Sequence, residues 1–140
     1  MKIISPSSEK TKEFASSIAE RFKNQGGVIA LMGDLGAGKT TFTQGFAKAL
    51  QIKDKIMSPT FTLIRQHHLP DNRTLYHLDL YRLEKINIYE LGLADILSQP
   101  NDIVLIEWAE KLGSDLPKNA VIINFKHLGE NVREIEYNDF

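Results

Sequence analysis

The chain has 140 residues, the size of one domain with a core of its own, and leaves no room for a second catalytic domain. Seventeen Lys and Arg face eighteen Asp and Glu, a net charge of −1, which excludes a strongly basic nucleic-acid binder and leaves only a local patch for that role. Cysteine is absent, which excludes disulfides, thiolate–metal sites and cysteine nucleophiles. No apolar run approaches the roughly 18–20 residues of a membrane span and the N-terminus is not signal-like, so a cytoplasmic protein is expected.

The first predicted element is a helix over residues 7–24, where Phe14, Ile18 and Phe22 recur at every fourth position beside Ala15 and Ala19. Ser7 or Ser8 caps it and Gly26-Gly27 stops it. Residues 28–32 form a short continuous apolar run, the pattern of a strand buried on both faces. A glycine-rich turn at 33–38 leads into a helix over 39–50, with Phe42, Phe46, Ala49 and Leu50 at helical spacing. Pro59 marks a loop or a sheet edge. Residues 61–66 and 74–80 read as a hairpin around Leu69-Pro70-Asp71-Asn72. Residues 86–98 are predicted helical, with Gly92 opposing it. A second buried strand at 103–106 ends at Glu107-Trp108, and two further strands, 120–125 and 132–137, flank a turn at 128–131. The alternation predicts an α/β fold: one domain over 1–140, with a central, mostly parallel sheet flanked by helices, a β-hairpin and C-terminal strands.

Gly33-Asp34-Leu35-Gly36-Ala37-Gly38-Lys39-Thr40 matches the phosphate-loop pattern G-x-x-x-x-G-K-[ST] in full. Average residue usage gives a chance match in a chain of this length only about half a percent of the time. The match also lies between a predicted strand and a predicted helix, which makes this a P-loop NTPase-type domain. Glycines let successive backbone N–H groups converge on phosphate oxygens. The helix N-terminus adds unpaired donors and a positive dipole end. Lys39 supplies a point charge for the β- and γ-phosphates, and the Thr40 hydroxyl is a magnesium ligand. Thr41 is a further phosphate contact or simply a helix-start threonine.

Such sites take an acidic residue from the end of another buried strand. Glu107 emerges at a strand's C-terminal edge, where ligands of open α/β sheets bind, and is assigned to the metal. Asp79, also at a strand end, is assigned to orienting the attacking water or a metal-bound one. His77 shares Asp79's strand face, and a packing role is expected. His67 and His68, by the hairpin turn, are expected to be solvated. Arg65 and Arg82 are internal suppliers of positive charge or surface charges, the latter being favoured. Trp108 is a core anchor or a partner contact. Guanine specificity is unsupported, because the chain has no N-K-x-D and no glycine follows Asp79 in D-x-x-G spacing. The scattered arginines at 21, 65, 73, 82 and 133 form no lid, which counts against a small-molecule kinase. A nucleotide-gated binding module without essential hydrolysis is the other alternative.

The phosphate loop through Thr41, Ser58-Pro59-Thr60-Phe61, His77-Leu78-Asp79-Leu80-Tyr81-Arg82, Glu90-Leu91-Gly92 and Ile106-Glu107-Trp108 occur in that order. Together they resemble the bacterial TsaE (YjeE) family of small P-loop ATPases over residues 5–137. The resemblance implies ATP/ADP and Mg2+ as cofactors and slow intrinsic hydrolysis. It implies two partner proteins, TsaB and TsaD, which form the threonylcarbamoyl-transferase that modifies adenosine 37 of ANN-decoding tRNAs, with hydrolysis resetting that complex between turnovers. Carried onto this chain, it places Gly33, Asp34, Leu35, Gly36, Ala37, Gly38, Lys39, Thr40 and Thr41 on the phosphates. Thr40 and Glu107 fall on magnesium, Ser58 and Thr60 in a switch near the γ-phosphate, and Asp79 in a second switch-like segment; Lys39, Asp79 and Glu107 are the catalytic candidates. Thr11 falls near the base and Arg133 near the base or ribose. The near-zero net charge then implies that the partners supply most of the grip on tRNA. Neither membrane nor DNA contact is expected.

Overall fold

The computed structural model describes residues 1–33, 38–52, 64–84 and 86–138. In chain order the elements are β1 (Lys2–Ser5), α1 (Ser8–Arg21), β2 (Gly27–Gly33), α2 (Lys39–Ala49), β3 (Ile64–His68), β4 (Thr74–Asp79), α3 (Leu93–Leu97), β5 (Ile103–Glu107), a 3-10 segment (Ala109–Asp115), β6 (Val121–Gly129) and β7 (Val132–Tyr137). The strands form one sheet in the order β1-β7-β6-β2-β5-β4-β3. β4, β5, β2 and β6 are parallel neighbours, while β3 and the β6-β7-β1 side pair antiparallel.

The two apolar runs behave as their composition demands. In β2, Ile29 and Leu31 join the core under α1 and α2, while Val28 and Ala30 join the core on the opposite face. In β5, Ile103 and Leu105 divide from Val104 and Ile106 in the same way. Strands with both faces covered have no polar side, which is why these segments read as unbroken hydrophobic stretches. The helix-side core is rich in aromatics: the Phe42 ring lies 5.9 Å from Phe14, 6.0 Å from Phe46 and 5.8 Å from Phe125.

Ser7 caps α1, its side chain accepting a hydrogen bond from the Lys10 amide at 3.2 Å. At the hairpin turn, Arg73 donates to the Phe22, Lys23 and Gln25 carbonyls at 3.0, 2.8 and 2.7 Å, which fastens the turn to the end of α1. Its hydrogen bond to Asp71 holds that carboxyl below the usual carboxylate range.

The predicted helix over 86–98 is corrected: only Leu93–Leu97 is α-helical, preceded by turns. Two local features stop a longer helix. The Asn87 side chain accepts from the Tyr89 and Glu90 amides at 3.0 and 3.3 Å, competing with helical bonding, and Gly92 is left-handed at φ 73°. The edge strand β1 and the 3-10 segment are additions to the sequence reading. Among the described residues no helix is long and apolar enough to cross a membrane.

Helices α1 and α2 cross closely at Gly45, where a Cβ would lie 2.8 Å from Lys12 Cα and 3.0 Å from the Lys12 carbonyl oxygen. Gly45→Ala is therefore expected to destabilise the fold by about 1–3 kcal/mol through overpacking, although alanine is the better helix former by about 1 kcal/mol. Thermal unfolding checks this, and a melting temperature at or above the parent's would show that the helices have room to spare.

Candidate functional site

The C-terminal ends of β2, β4 and β5 and the first turn of α2 meet at one edge of the sheet. The register makes this a consequence of pairing: Leu31 of β2 and Asp79 of β4 both stand opposite Glu107 of β5. Gly33 ends β2 at φ 128°, and a Cβ there would lie 2.3 Å from the Phe125 carbonyl oxygen, so only glycine fits. Gly38, left-handed at φ 103°, opens α2.

Lys39 is buried, with 4% of its surface exposed. Its Nζ donates to the Gly33 carbonyl and lies 3.6 Å from the centre of the Trp108 ring, which keeps the ammonium over a π face beside the end of β2. Trp108 adopts a left-handed backbone at φ 60°, ψ 39°, a strained conformation for a bulky residue. Its ring meets both Lys39 and the Tyr81 ring, 5.0 Å between centroids. The sequence reading left Trp108 as core anchor or partner contact; the structure packs it, half-buried, against the core and also makes it a platform for the lysine.

Glu107 is also buried. The Thr40 hydroxyl donates to its Oε1 at 3.4 Å, and its Oε2 lies 2.6 Å from His77 Nε2. His77 was expected to pack and is indeed fully buried, but it also bonds Glu107. Asp79 is half-buried beside Glu107 and caps its own turn, Oδ1 accepting from the Tyr81 amide at 3.0 Å. Lys111 donates to the Tyr81 and Leu83 carbonyls, which pins the segment following β4. Glu110, absent from the sequence reading, accepts from the Gly33 amide through Oε2 at 3.2 Å. Its spacing of three from Glu107, in a helical turn, is the signal that points to it.

Thr41 is half-buried in the first turn of α2. Arg133 lies against Gly38, its Nε 3.4 Å from where a Cβ would stand, and its guanidinium bonds the Gly129 and Val132 carbonyls at 3.1 Å each. Thr11 is buried, its hydroxyl sharing a 2.7 Å hydrogen bond with Ser5 and donating to the Ser7 carbonyl, which ties β1 to α1. Asp34, Leu35, Gly36, Ala37, Ser58 and Thr60 lie outside the described residues. Two expectations on β3 are corrected. His67 is buried rather than solvated, because it points into the sheet face while His68 points out. Arg65, expected on the surface, is half-buried opposite His77, and its Nε is buried. Arg82 is exposed, as expected.

Oxygen donors from Thr40 and Glu107 suit a hard divalent cation. Among the described residues no three His, Cys, Asp or Glu side chains group to hold a metal alone.

Residues 5–135 match the family model described as threonylcarbamoyl adenosine biosynthesis protein TsaE. A tRNA threonylcarbamoyladenosine biosynthesis protein TsaE from Bacillus subtilis (strain 168) is 42% identical over 132 residues, covering 92% of this chain and 79% of the relative. One from Treponema pallidum (strain Nichols) is 36% identical over 136 residues, covering 96% and 98%. The crystal structure of YdiB from Bacillus subtilis superposes with a TM-score of 0.78 at 36% identity, over 98% of this chain and 83% of the other. The family model spans nearly the whole chain and the relatives match along most of their own length, so the chain belongs to the TsaE family of tRNA threonylcarbamoyladenosine biosynthesis proteins.

Proposed function

We propose that this chain binds ATP with magnesium, hydrolyses it slowly, and drives threonylcarbamoyladenosine modification of tRNA by acting on a TsaB–TsaD complex. The observation that carries this reading is the meeting of Thr40 and Glu107 at the first turn of α2, next to the buried Lys39.

Each residue has a physical task in it. The α2 N-terminus and Lys39 offer positive charge to the phosphates. Thr40 and Glu107 are the side chains that would hold magnesium, which supplies neutralisation of the phosphate oxygens when bound. Asp79, at the same sheet edge, would orient water by accepting a hydrogen bond. Arg82 is exposed, and slow intrinsic hydrolysis follows if the charge that completes the site comes from a partner.

The test is ATP turnover by the purified chain, alone and with its TsaB and TsaD counterparts, together with multi-turnover tRNA modification. Glu107→Ala is expected to lower turnover by about 10²–10³-fold, the range for losing one preorganised electrostatic group. Full hydrolysis in that variant contradicts the assignment of Glu107. Many rounds of modification without hydrolysis would instead favour a nucleotide-gated module.

A further inference from the structure

His77 occupies a position that an aliphatic residue would fill at no polar cost. It is fully buried in β4, with Leu75 and Leu78 of the same strand also fully buried. A polar group in such a place costs free energy unless it is hydrogen-bonded. Its Nε2 meets Glu107 Oε2 at 2.6 Å, whereas its Nδ1 has no hydrogen-bond partner among the described residues. The tautomer that satisfies this pair carries the hydrogen on Nε2, so the imidazole donates to the carboxylate and leaves Nδ1 as a bare acceptor.

That one bond fixes the orientation of Glu107. With Oε2 held by His77, Oε1 is turned to the Thr40 hydroxyl. Without the donor, the carboxylate is free to rotate and sits buried with one oxygen uncompensated. We infer that His77 is a positioning residue of the nucleotide site, holding Glu107 so that its second oxygen faces the place where Thr40 and Glu107 would share a divalent cation. The inference rests on the reading proposed above. His77 acts here as a fixed donor and carries no proton in the reaction.

Two amide variants isolate the donor from the ring. The glutamine amide nitrogen lies as many bonds from Cβ as imidazole Nε2, and the asparagine nitrogen as many as Nδ1. Magnesium is titrated into each protein with ATP present, starting from EDTA, and followed by the fluorescence of Trp108, the sole tryptophan, which adjoins Glu107. His77→Asn is expected to raise the magnesium midpoint by roughly 10–100-fold, the usual effect of losing a ligand's hydrogen-bond partner, while His77→Gln stays within about 3-fold of the parent. ATP binding in EDTA, followed in the same way, reports on the phosphate loop alone.

Equal midpoints in all three proteins overturn the inference, as does a glutamine variant no better than the asparagine one. A parent protein that shows no response to ATP at all sinks the proposed function itself, and the inference with it. Should His77→Asn melt below the assay temperature, His77→Phe, which has no donor, takes its place with the same expected shift and the same overturning result.

Discussion

Lys39→Ala is expected to weaken ATP binding by roughly 10–150-fold, the equivalent of losing a charge-assisted hydrogen bond worth about 1.5–3 kcal/mol. Multi-turnover tRNA modification with TsaB and TsaD is expected to fall with it. The argument runs from burial: Lys39 is 4% exposed and held between the Gly33 carbonyl and the Trp108 ring, so its ammonium is already largely desolvated. A charge kept out of water and aimed by its surroundings acts on phosphate more strongly than a surface lysine does. Direct binding of ATP by calorimetry and the modification assay check the two halves separately. Undiminished multi-turnover modification by the variant would sink the proposed function.

The largest expected effect on stability belongs to Phe42→Ala. Phe42 is fully buried and its ring is within 6.0 Å, centroid to centroid, of Phe14, Phe46 and Phe125. Removing a phenyl ring from such a cluster costs about 3–5 kcal/mol, a large share of the roughly 5–15 kcal/mol that holds a typical domain together. The melting temperature is expected to fall by roughly 10–15 °C, and urea unfolding to shift its midpoint with an unchanged slope. A loss below about 1 kcal/mol would contradict a tightly packed cluster at this position. Because α2 carries Lys39 and Thr40 as its first residues, loosening its seat also degrades the site at its N-terminus.

What was legible in the sequence follows the range of the interactions. The strand at 28–32, the helix at 39–50 and the strand at 103–106 are written in local periodicity, and the structure keeps each to within a residue or two at its ends. The strand β1 was not legible: four residues, Lys2–Ser5, become a strand only because β7 lies beside them, and nothing in so short a segment announces a partner at the other end of the chain. The helix over 86–98 failed because the Asn87 side chain and the left-handed Gly92 outweigh a run of helix-compatible residues.

The site divides in the same way. Lys39, Thr40 and Glu107 announce themselves by motif and by place at a strand end. The bonds from His77 to Glu107 and from Glu110 to Gly33 depend on strand register and on the turn that follows Trp108, and neither is fixed by spacing alone. A histidine between the buried Leu75 and Leu78 was the available sign for the first.

Strand β2, which delivers the phosphate loop, finds both of its neighbours late in the chain: β5 begins at Ile103 and β6 at Val121. Its pairing is therefore non-local, and closing the intervening loops is an entropic cost met before the sheet rewards it. On the ribosome, β2 emerges well before β5 and β6, so the pairing that seats its C-terminal end is expected only after the segment from Ile103 through Val121 onward has been made. Folding of this chain is expected to be slower than that of a helical bundle of the same length.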